Sequence, residues 1–495
     1  MQSPVPIRTD RLLQGPTPDG IALVHRDRRV SYGELDALVG RVAGGLAAQG
    51  LTAGDRVVTW LPKSIEGVAT LFGAARAGAV FVPANPQLKA AQVNHIAADS
   101  GARLLLTTAA RASGLATRAT VLTLEDHWDA LADGPPLDVD RDPDDLVALL
   151  YTSGSTGAPK GVMLSHSNLW HAADSVRQFL GTGPDDRVLS VLPHGFDYGL
   201  NQLTQAWAAG AGAVLLDYLT PRDVVRAVSV HGITQLGGVP PLWHDLAAAD
   251  WGQGGGASLR VLTNSGGHLH AGLSAKLRAL FPAARLYLMY GLTEAFRATY
   301  LDPDLAANRP ESVGTAIPHA EVLIVRPDGS LTDDDEPGEM VQVGPLVSYG
   351  YWRDDERTDL RFRPAPDASV LGGMAVWSGD TMKRGADGLL TFVGRDDEMI
   401  KTGGYRVSPT EVEDAALASG AVGAAVALGV PDDRLGQAIL LVATPAGDDH
   451  EGRLSSALGR ALPGFMQPAR IVWRETLPVL ANGKLDRAAL KREWA

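Results

Sequence analysis

The sequence predicts an α/β protein with a large N-terminal domain, a β-rich portion after it, and a small α+β C-terminal domain. Three observations lead there. From about residue 20 to residue 300, short apolar runs alternate with amphipathic helical stretches, the pattern of largely parallel sheets flanked by helices. Near residue 313 that pattern gives way to strands joined by turns. A further shift near Gly394 introduces a helix-strand-strand-helix segment. With 495 residues the chain is too long for one core, and two to four domains are expected.

Taken in order, the strand candidates of the first part are Arg56–Leu61, Ala79–Val82, Leu104–Thr107, Leu146–Thr152, Arg187–Leu192, Ala213–Asp217, Arg260–Thr263 and Arg285–Tyr290. Helical periodicity covers Tyr32–Ala48 and Asn168–Leu180 between them. AEVLIVRPDGSL followed by GEMVQVGP reads as strands joined by turns, with Asp328-Gly329 as the hairpin signal. The last hundred residues hold a helix over Pro409–Ala418, strands around Ala424–Gly429 and Ala438–Ala443, a second helix and a terminal strand-turn. Residues 361–373 and 444–452 are rich in loop residues.

Composition removes several function classes. Cysteine is absent, which excludes disulfides, thiolate zinc sites, iron–sulfur clusters and a cysteine nucleophile. A net charge of −13 argues against a broad nucleic-acid surface, although a nucleotide can still be held locally by backbone N–H groups and a few cations. MQSPVPIRTDRL lacks a signal-peptide pattern and no run of 18 apolar residues occurs, so a cytoplasmic protein without a membrane partner is expected. No Gly-x-Gly-x-x-Gly sits between a strand and a helix, which disfavours a dinucleotide oxidoreductase.

The most informative segment is YTSGSTGAPKGVMLSH, Tyr151 to His166. Hydroxyls of Thr152, Ser153, Ser155 and Thr156, three glycines and Lys160 lie between two apolar strands, as a phosphate-binding loop requires. Pro159 before Lys160 rules out a Walker A loop. The segment resembles the signature loop of the adenylate-forming superfamily of acyl-CoA synthetases, luciferases and peptide-synthetase adenylation domains. Four further motifs follow in that family's order: Tyr290-Gly291-Leu292-Thr293-Glu294, Trp377-Ser378-Gly379-Asp380, Gly394-Arg395-Asp396-Asp397-Glu398-Met399-Ile400-Lys401 with Gly404-Tyr405-Arg406-Val407, and Asn482-Gly483-Lys484-Leu485-Asp486.

The resemblance implies an ATP- and Mg²⁺-dependent ligase that first makes an acyl-adenylate and then passes the acyl group to a thiol. It implies an N-terminal domain over 1–396, built of two α/β subdomains and a β-rich subdomain, and a small mobile C-terminal domain over 397–495. Lys484 would bridge carboxylate and α-phosphate, with Thr293 bonding that phosphate and Glu294 holding the metal, a hard cation that prefers oxygen. Tyr290 and Gly291 would border the nucleotide, and Asp380 and Arg395 would take the ribose. Asp397 falls at the hinge, where rotation would exchange Lys484 for the 401–407 loop.

The acid-binding residues come from HGFDYGLN, where Asp197 matches the position that binds the amino group in the peptide-synthetase branch. Either Asp197 faces a substrate ammonium or backbone N–H groups satisfy it in a loop. Tyr198, Asn201, Ser265, Gly266 and Met289 complete the expected pocket. Arg297, unusual beside an apolar substrate, either holds a second substrate carboxylate with help from Ser265 or pairs with an internal acid such as Asp197. Asp197, Ser265 and Arg297 together resemble stand-alone enzymes that adenylate β-amino acids for macrolactam antibiotics. FDYGLNQ with YGLTEAFR also resembles exosortase-associated acyl-CoA ligase-like proteins. The expected partners are an amino acid, of the β, aspartate or 3-methylaspartate type, and a separate acyl carrier protein. The alternative is a CoA ligase for a simple carboxylic acid. Gly266-Gly267-His268-Leu269 looks superficially like a carrier-protein arm site but lacks the serine.

Overall fold

The computed structural model describes residues 5–14, 17–152, 159–267, 269, 271–395, 399–447, 449–478 and 486–494. Among these residues the chain forms three sheets. The first has six strands, in the order Thr120–Thr123, Leu104–Thr107, Arg56–Thr59, Val80–Pro83, Leu146–Thr152 and Lys160–Ser165, all parallel until the last pair, which is antiparallel. Leu104–Thr107 and Val80–Pro83 are buried at every position, so they read as continuous apolar runs with no alternation.

The second sheet has fourteen strands and unites the second α/β subdomain with the β-rich one. Gly212–Leu215, Arg187–Ser190, Gln235–Gly238, Val261–Asn264 and Arg285–Tyr290 lie side by side in parallel. The turn-rich strands join antiparallel through Thr299–Leu301 and Ser312–Ala316. The β-rich subdomain is therefore hydrogen-bonded to its neighbour as one continuous sheet. Glu321–Val325 pairs with Gly338–Val343 as expected, while the turn at Asp328-Gly329 folds the connection back on itself. The stretch 361–373 contains a short strand, Phe362–Pro364, and in 444–452 one strand ends at Pro445 and a helix starts at His450.

Side-chain caps set the helix ends. Ser31 and Glu34 form a reciprocal capping box that starts Tyr32–Ala48 where periodicity placed it. The helix expected from Asn168 begins two residues earlier, at His166. Ser165 accepts from the Asn168 N–H while the Asn168 side chain accepts from Ser165, so Asn168 belongs to the cap box inside the first turn.

The C-terminal portion is a five-stranded sheet centred on Gly436–Pro445. Ile439, Leu441 and Ala443 face one apolar cluster with Val412 and Leu454, while Leu440 and Val442 face another with Leu477 and Leu490. Both faces are covered, which explains the unbroken apolar run. No described helix is long and apolar enough to cross a membrane.

Candidate active site

Parallel strands present their carboxyl ends to one side, where connections can converge on a ligand. Here Arg187–Ser190 leads to Asp197, Val261–Asn264 to Ser265, and Arg285–Tyr290 to the segment from Gly291 to Arg297. A cavity of about 1390 Å³ opens at these ends, and Thr152 and Pro159, which flank residues 153–158, also line it.

On one wall a short 3₁₀ turn, Thr293–Ala295, carries Glu294, which is 2 % exposed. Its Oε1 accepts a 2.7 Å hydrogen bond from the Tyr351 hydroxyl and lies 3.7 Å from Lys160 Nζ, which itself sits 3.6 Å over the Tyr351 ring. Burial alone would raise the Glu294 carboxyl, but Lys160, Arg406, the Tyr351 hydroxyl and Arg361 bring it down to about 2. Burial pulls Lys160 the other way, down to about 8, aided by Arg406, Arg361 and Arg357 against the pull of Glu294. The strand pair Thr152↔Lys160 places both residues at the edge of the phosphate-loop segment.

Nearby, fully buried Asp380 accepts a hydrogen bond from the Tyr290 hydroxyl, and its N–H donates to Ser378 Oγ at 3.1 Å. Arg395 is its cross-strand partner by backbone register. Ser153, Ser155, Thr156, Asp397 and Lys484, like His268 of the dismissed arm motif, lie outside the described residues. No cluster of three or more His, Asp or Glu suited to a metal occurs among the described residues. Glu294, kept ionised and turned toward Lys160, is a hard oxygen donor of the kind that would suit Mg²⁺.

The opposite wall holds the acid-site candidates. Asp197 opens the helix Asp197–Ala208, where the positive end of the helix dipole favours a carboxylate. Thr293 Oγ1 donates to Asp197 Oδ1 at 3.4 Å. Burial nevertheless raises the Asp197 carboxyl above its ordinary value, against the opposing pull of Arg297, the Tyr198 N–H and Thr293. Arg297 is 2 % exposed, donates from Nη1 to Ser265 Oγ at 2.6 Å, and stacks its guanidinium 4.7 Å from the Tyr198 ring centre. It forms no ion pair among the described residues, and its buried Nε has no hydrogen-bond partner. Of the two roles weighed for Arg297, a direct ion pair with an acid is not seen among the described residues, although its charge still acts on Asp197.

Backbone strain aims Arg297. Phe296 has φ 63° and ψ −63°, and the Arg297 N–H donates to the Ala295 carbonyl at 2.7 Å, which makes a γ-turn of the rare positive-φ kind. Gly291 is required opposite it, because a Cβ there would stand 2.9 Å from the Arg297 Cα. Met289 and Gly266 line the cavity with Tyr198, whose hydroxyl donates to the Thr263 carbonyl at 2.9 Å. Asn201 differs from expectation. It lines a small adjoining pocket with Tyr198 and Arg297 and not the large cavity, since on the same helix face it lies one turn further along the axis than Asp197.

The C-terminal sheet closes the cavity. Tyr405 stacks on Phe465 at 3.8 Å and meets the edge of Phe196 at 5.1 Å, one residue before Asp197. Gly404 comes so near Val239 that a Cβ would stand 2.6 Å from its Cγ1, and Arg434 forms a two-point ion pair with Asp245 at 3.1 and 2.9 Å. Tyr351, Phe196, Tyr405 and Arg361 were not among the expected site residues. Tyr351 and Arg361 are brought in by tertiary packing and carry no local chemical motif, whereas Phe196 and Tyr405 lie inside the quoted motifs, which gave them no role of their own.

A buried carboxylate among cations, a buried aspartate bonded to Tyr290 and a large cavity at converging strand ends are the geometry of an enzyme site that can take an anionic ligand. The chain belongs to the AMP-binding enzyme family: residues 14–352 match the model of that name and residues 411–484 match the AMP-binding enzyme C-terminal domain. It is an ATP-dependent, adenylate-forming acid–thiol ligase. It is 33 % identical over 497 residues to a feruloyl-CoA synthase of an Amycolatopsis species, covering 99 % of this chain and 98 % of that one. It is 30 % identical to part of tyrocidine synthase 3 of Brevibacillus parabrevis, covering 96 % of this chain and 7 % of that much longer protein. Among solved structures, o-succinylbenzoate CoA synthetase of Bacillus subtilis bound to the product analogue OSB-NCoA matches with a TM-score of 0.87 at 25 % identity, covering 99 % and 98 % of the two chains. The same enzyme with its acyl-adenylate intermediate matches at 0.73 and 26 % identity, covering 98 % of each chain.

Proposed function

We propose that this ligase activates an amino acid of the β type that carries a second carboxylate, such as aspartate or 3-methylaspartate, and passes it to the phosphopantetheine thiol of a separate acyl carrier protein. The observation that carries this reading is the unpaired, buried Arg297, held to Ser265 and facing a cavity that also presents Asp197. A guanidinium stays protonated, and burying it without an anion is expensive, so a substrate carboxylate is its natural partner. Asp197 supplies the complementary charge for an ammonium. The pair suits a substrate bearing both signs and offers nothing to a plain hydrocarbon tail.

In the nucleotide half, Thr152, Ser153, Ser155, Thr156 and Lys160 bind the phosphates, and Tyr290 and Gly291 border the nucleotide. Asp380 and Arg395 hold the ribose, Thr293 bonds the α-phosphate, and Glu294 would hold Mg²⁺, which would supply neutralisation of phosphate charge. Lys484 stabilises charge developing at the α-phosphate, and the 397–495 domain turns at Asp397. In this structure the 401–407 loop borders the cavity, and the better match to the product-analogue complex supports a thiol-transfer orientation. A second reading, CoA as the acceptor, is favoured by the near full-length likeness to feruloyl-CoA synthase.

Pyrophosphate exchange with aspartate, 3-methylaspartate, 3-aminobutyrate, ferulate and fatty acids tests the acid. We expect at least about tenfold preference for the dicarboxylic amino acids, the worth of one charged hydrogen-bond pair. Arg297→Met should erase that preference and retain 3-aminobutyrate activity. A wild-type enzyme that takes ferulate or fatty acids over every amino acid would overturn the reading in favour of the CoA ligase. Parallel thiol-transfer assays with CoA and a phosphopantetheinylated carrier protein decide the acceptor.

A further inference from the structure

Gln342 lies in the strand Gly338–Val343, in the β-rich part of the second sheet, between Val341 and Val343 and in register with Val322 and Val376. It is completely buried. An amide among valines costs free energy unless its hydrogen bonds are used. Neither side-chain bond goes to the sheet. Nε2 donates to the Arg297 carbonyl at 2.7 Å and to the Ala295 carbonyl at 3.4 Å, the two residues that flank the positive-φ turn at Phe296. Both partners are acceptors, so only the NH₂ end can face them, and Oε1 is left buried without a partner. A glutamine that leaves half its polar capacity unmet is retained here for what the other half holds.

The object held is strained. A non-glycine residue near φ +60° and ψ −60° persists only where its surroundings over-determine it. The turn is fixed on the other side by the Ala298 N–H donating to the Tyr290 carbonyl at 3.0 Å and by the close approach of Gly291. If the turn relaxed, the Arg297 Cα would rotate and its guanidinium would leave Ser265.

We propose that Gln342 is a positioning residue for acid selection, fixing the turn at Phe296 so that Arg297 meets Ser265 and the second carboxylate of the substrate. This rests on the assignment of Arg297 to a substrate carboxylate. Gln342 touches neither acid nor nucleotide; it acts through the backbone of Arg297.

The test compares kcat/KM for 3-methylaspartate and 3-aminobutyrate in pyrophosphate exchange, with the KM for ATP and the thermal midpoint as controls. Gln342→Met keeps the length and removes the donor. Its preference should fall from about tenfold or more to within about threefold of unity, the loss of one charged hydrogen-bond pair's discrimination, with the ATP KM within about twofold of wild type. Gln342→Asn keeps a buried amide one methylene short and should fall between. It also serves if the methionine variant fails to fold. An unchanged preference in the variants overturns the inference, as does an equal loss for both acids together with a raised ATP KM, which marks a purely structural role. A wild-type enzyme without any dicarboxylic preference instead overturns the Arg297 assignment, and the inference falls with it.

Discussion

On the phosphate side of the cavity, Glu294 is met by Lys160, the Tyr351 hydroxyl and the field of two arginines, and its carboxyl is held down near 2. On the acid side, Asp197 is pushed up by burial and Arg297 leans on a neutral serine and a tyrosine ring. The first wall balances its own carboxylate before any ligand arrives. The second wall keeps opposite charges apart, without a direct pair. A buried charge pair is neutral and inert, whereas separated charges are complementary to a ligand that carries both signs. The nucleotide wall suits a constant ligand, and the acid wall a chosen one.

That contrast can be broken from either side. The largest effect should come from Lys484→Ala, with adenylate formation falling about 10²–10³-fold, the usual consequence of removing one oriented charge from a developing anion. Thiol transfer from chemically made adenylate should survive, because the lysine acts in only one half-reaction. Equal losses in both, measured by pyrophosphate exchange and by transfer from synthetic adenylate, would remove the two-orientation account. Asp197→Ala should come next. Turnover of an amino acid should drop about 10²-fold, within the cost of stripping one partner from a buried charge pair, while its deaminated analogue changes little. Equal losses for the two acids would mean that Asp197 supports the helix start only.

The smallest effect is a pH profile. Lys160, lowered to about 8, is a cation below that pH and neutral above it. The apparent kcat/KM for ATP, which reports the free enzyme, should therefore fall as pH rises through about 8, by at most about tenfold per unit. Lys160→Arg should flatten the profile up to pH 10, because the guanidinium does not titrate there. A profile unchanged by the arginine would assign the inflection to another group.

Much of the architecture is readable before folding, and the exceptions have physical causes. Leu104–Thr107, Leu146–Thr152 and Arg285–Tyr290 form at the expected bounds because they are dense in apolar and β-branched or aromatic side chains. Gln235–Gly238 is a strand between two parallel neighbours, yet QLGG has no β-forming residue to announce it. Ile65–Arg76 is buried at all but two of its positions, so it has no polar stripe by which periodicity could find it. In the site, Thr152 and Lys160 are adjacent because they belong to one contiguous motif and one strand pair, and Glu294 and Asp380 each lie in a contiguous motif that is readable on its own. The acid wall is assembled from single residues on separate strands. The choice for Arg297, between an internal acid and a substrate carboxylate, depends on a turn at Phe296 whose backbone angles no residue type in the segment demands.

The edge contact of Tyr405 with Phe196 has a kinetic meaning. Phe196 is the neighbour of Asp197, so in the orientation seen here an aromatic contact joins the C-terminal sheet to the wall that carries Asp197. On the reading proposed above, an activated acid bound there would be shielded on this side for as long as that contact holds. Its lifetime against wasteful hydrolysis would then depend on how often that contact parts as well as on the reactivity of the anhydride, so that commitment to the thiol would be governed partly by domain motion.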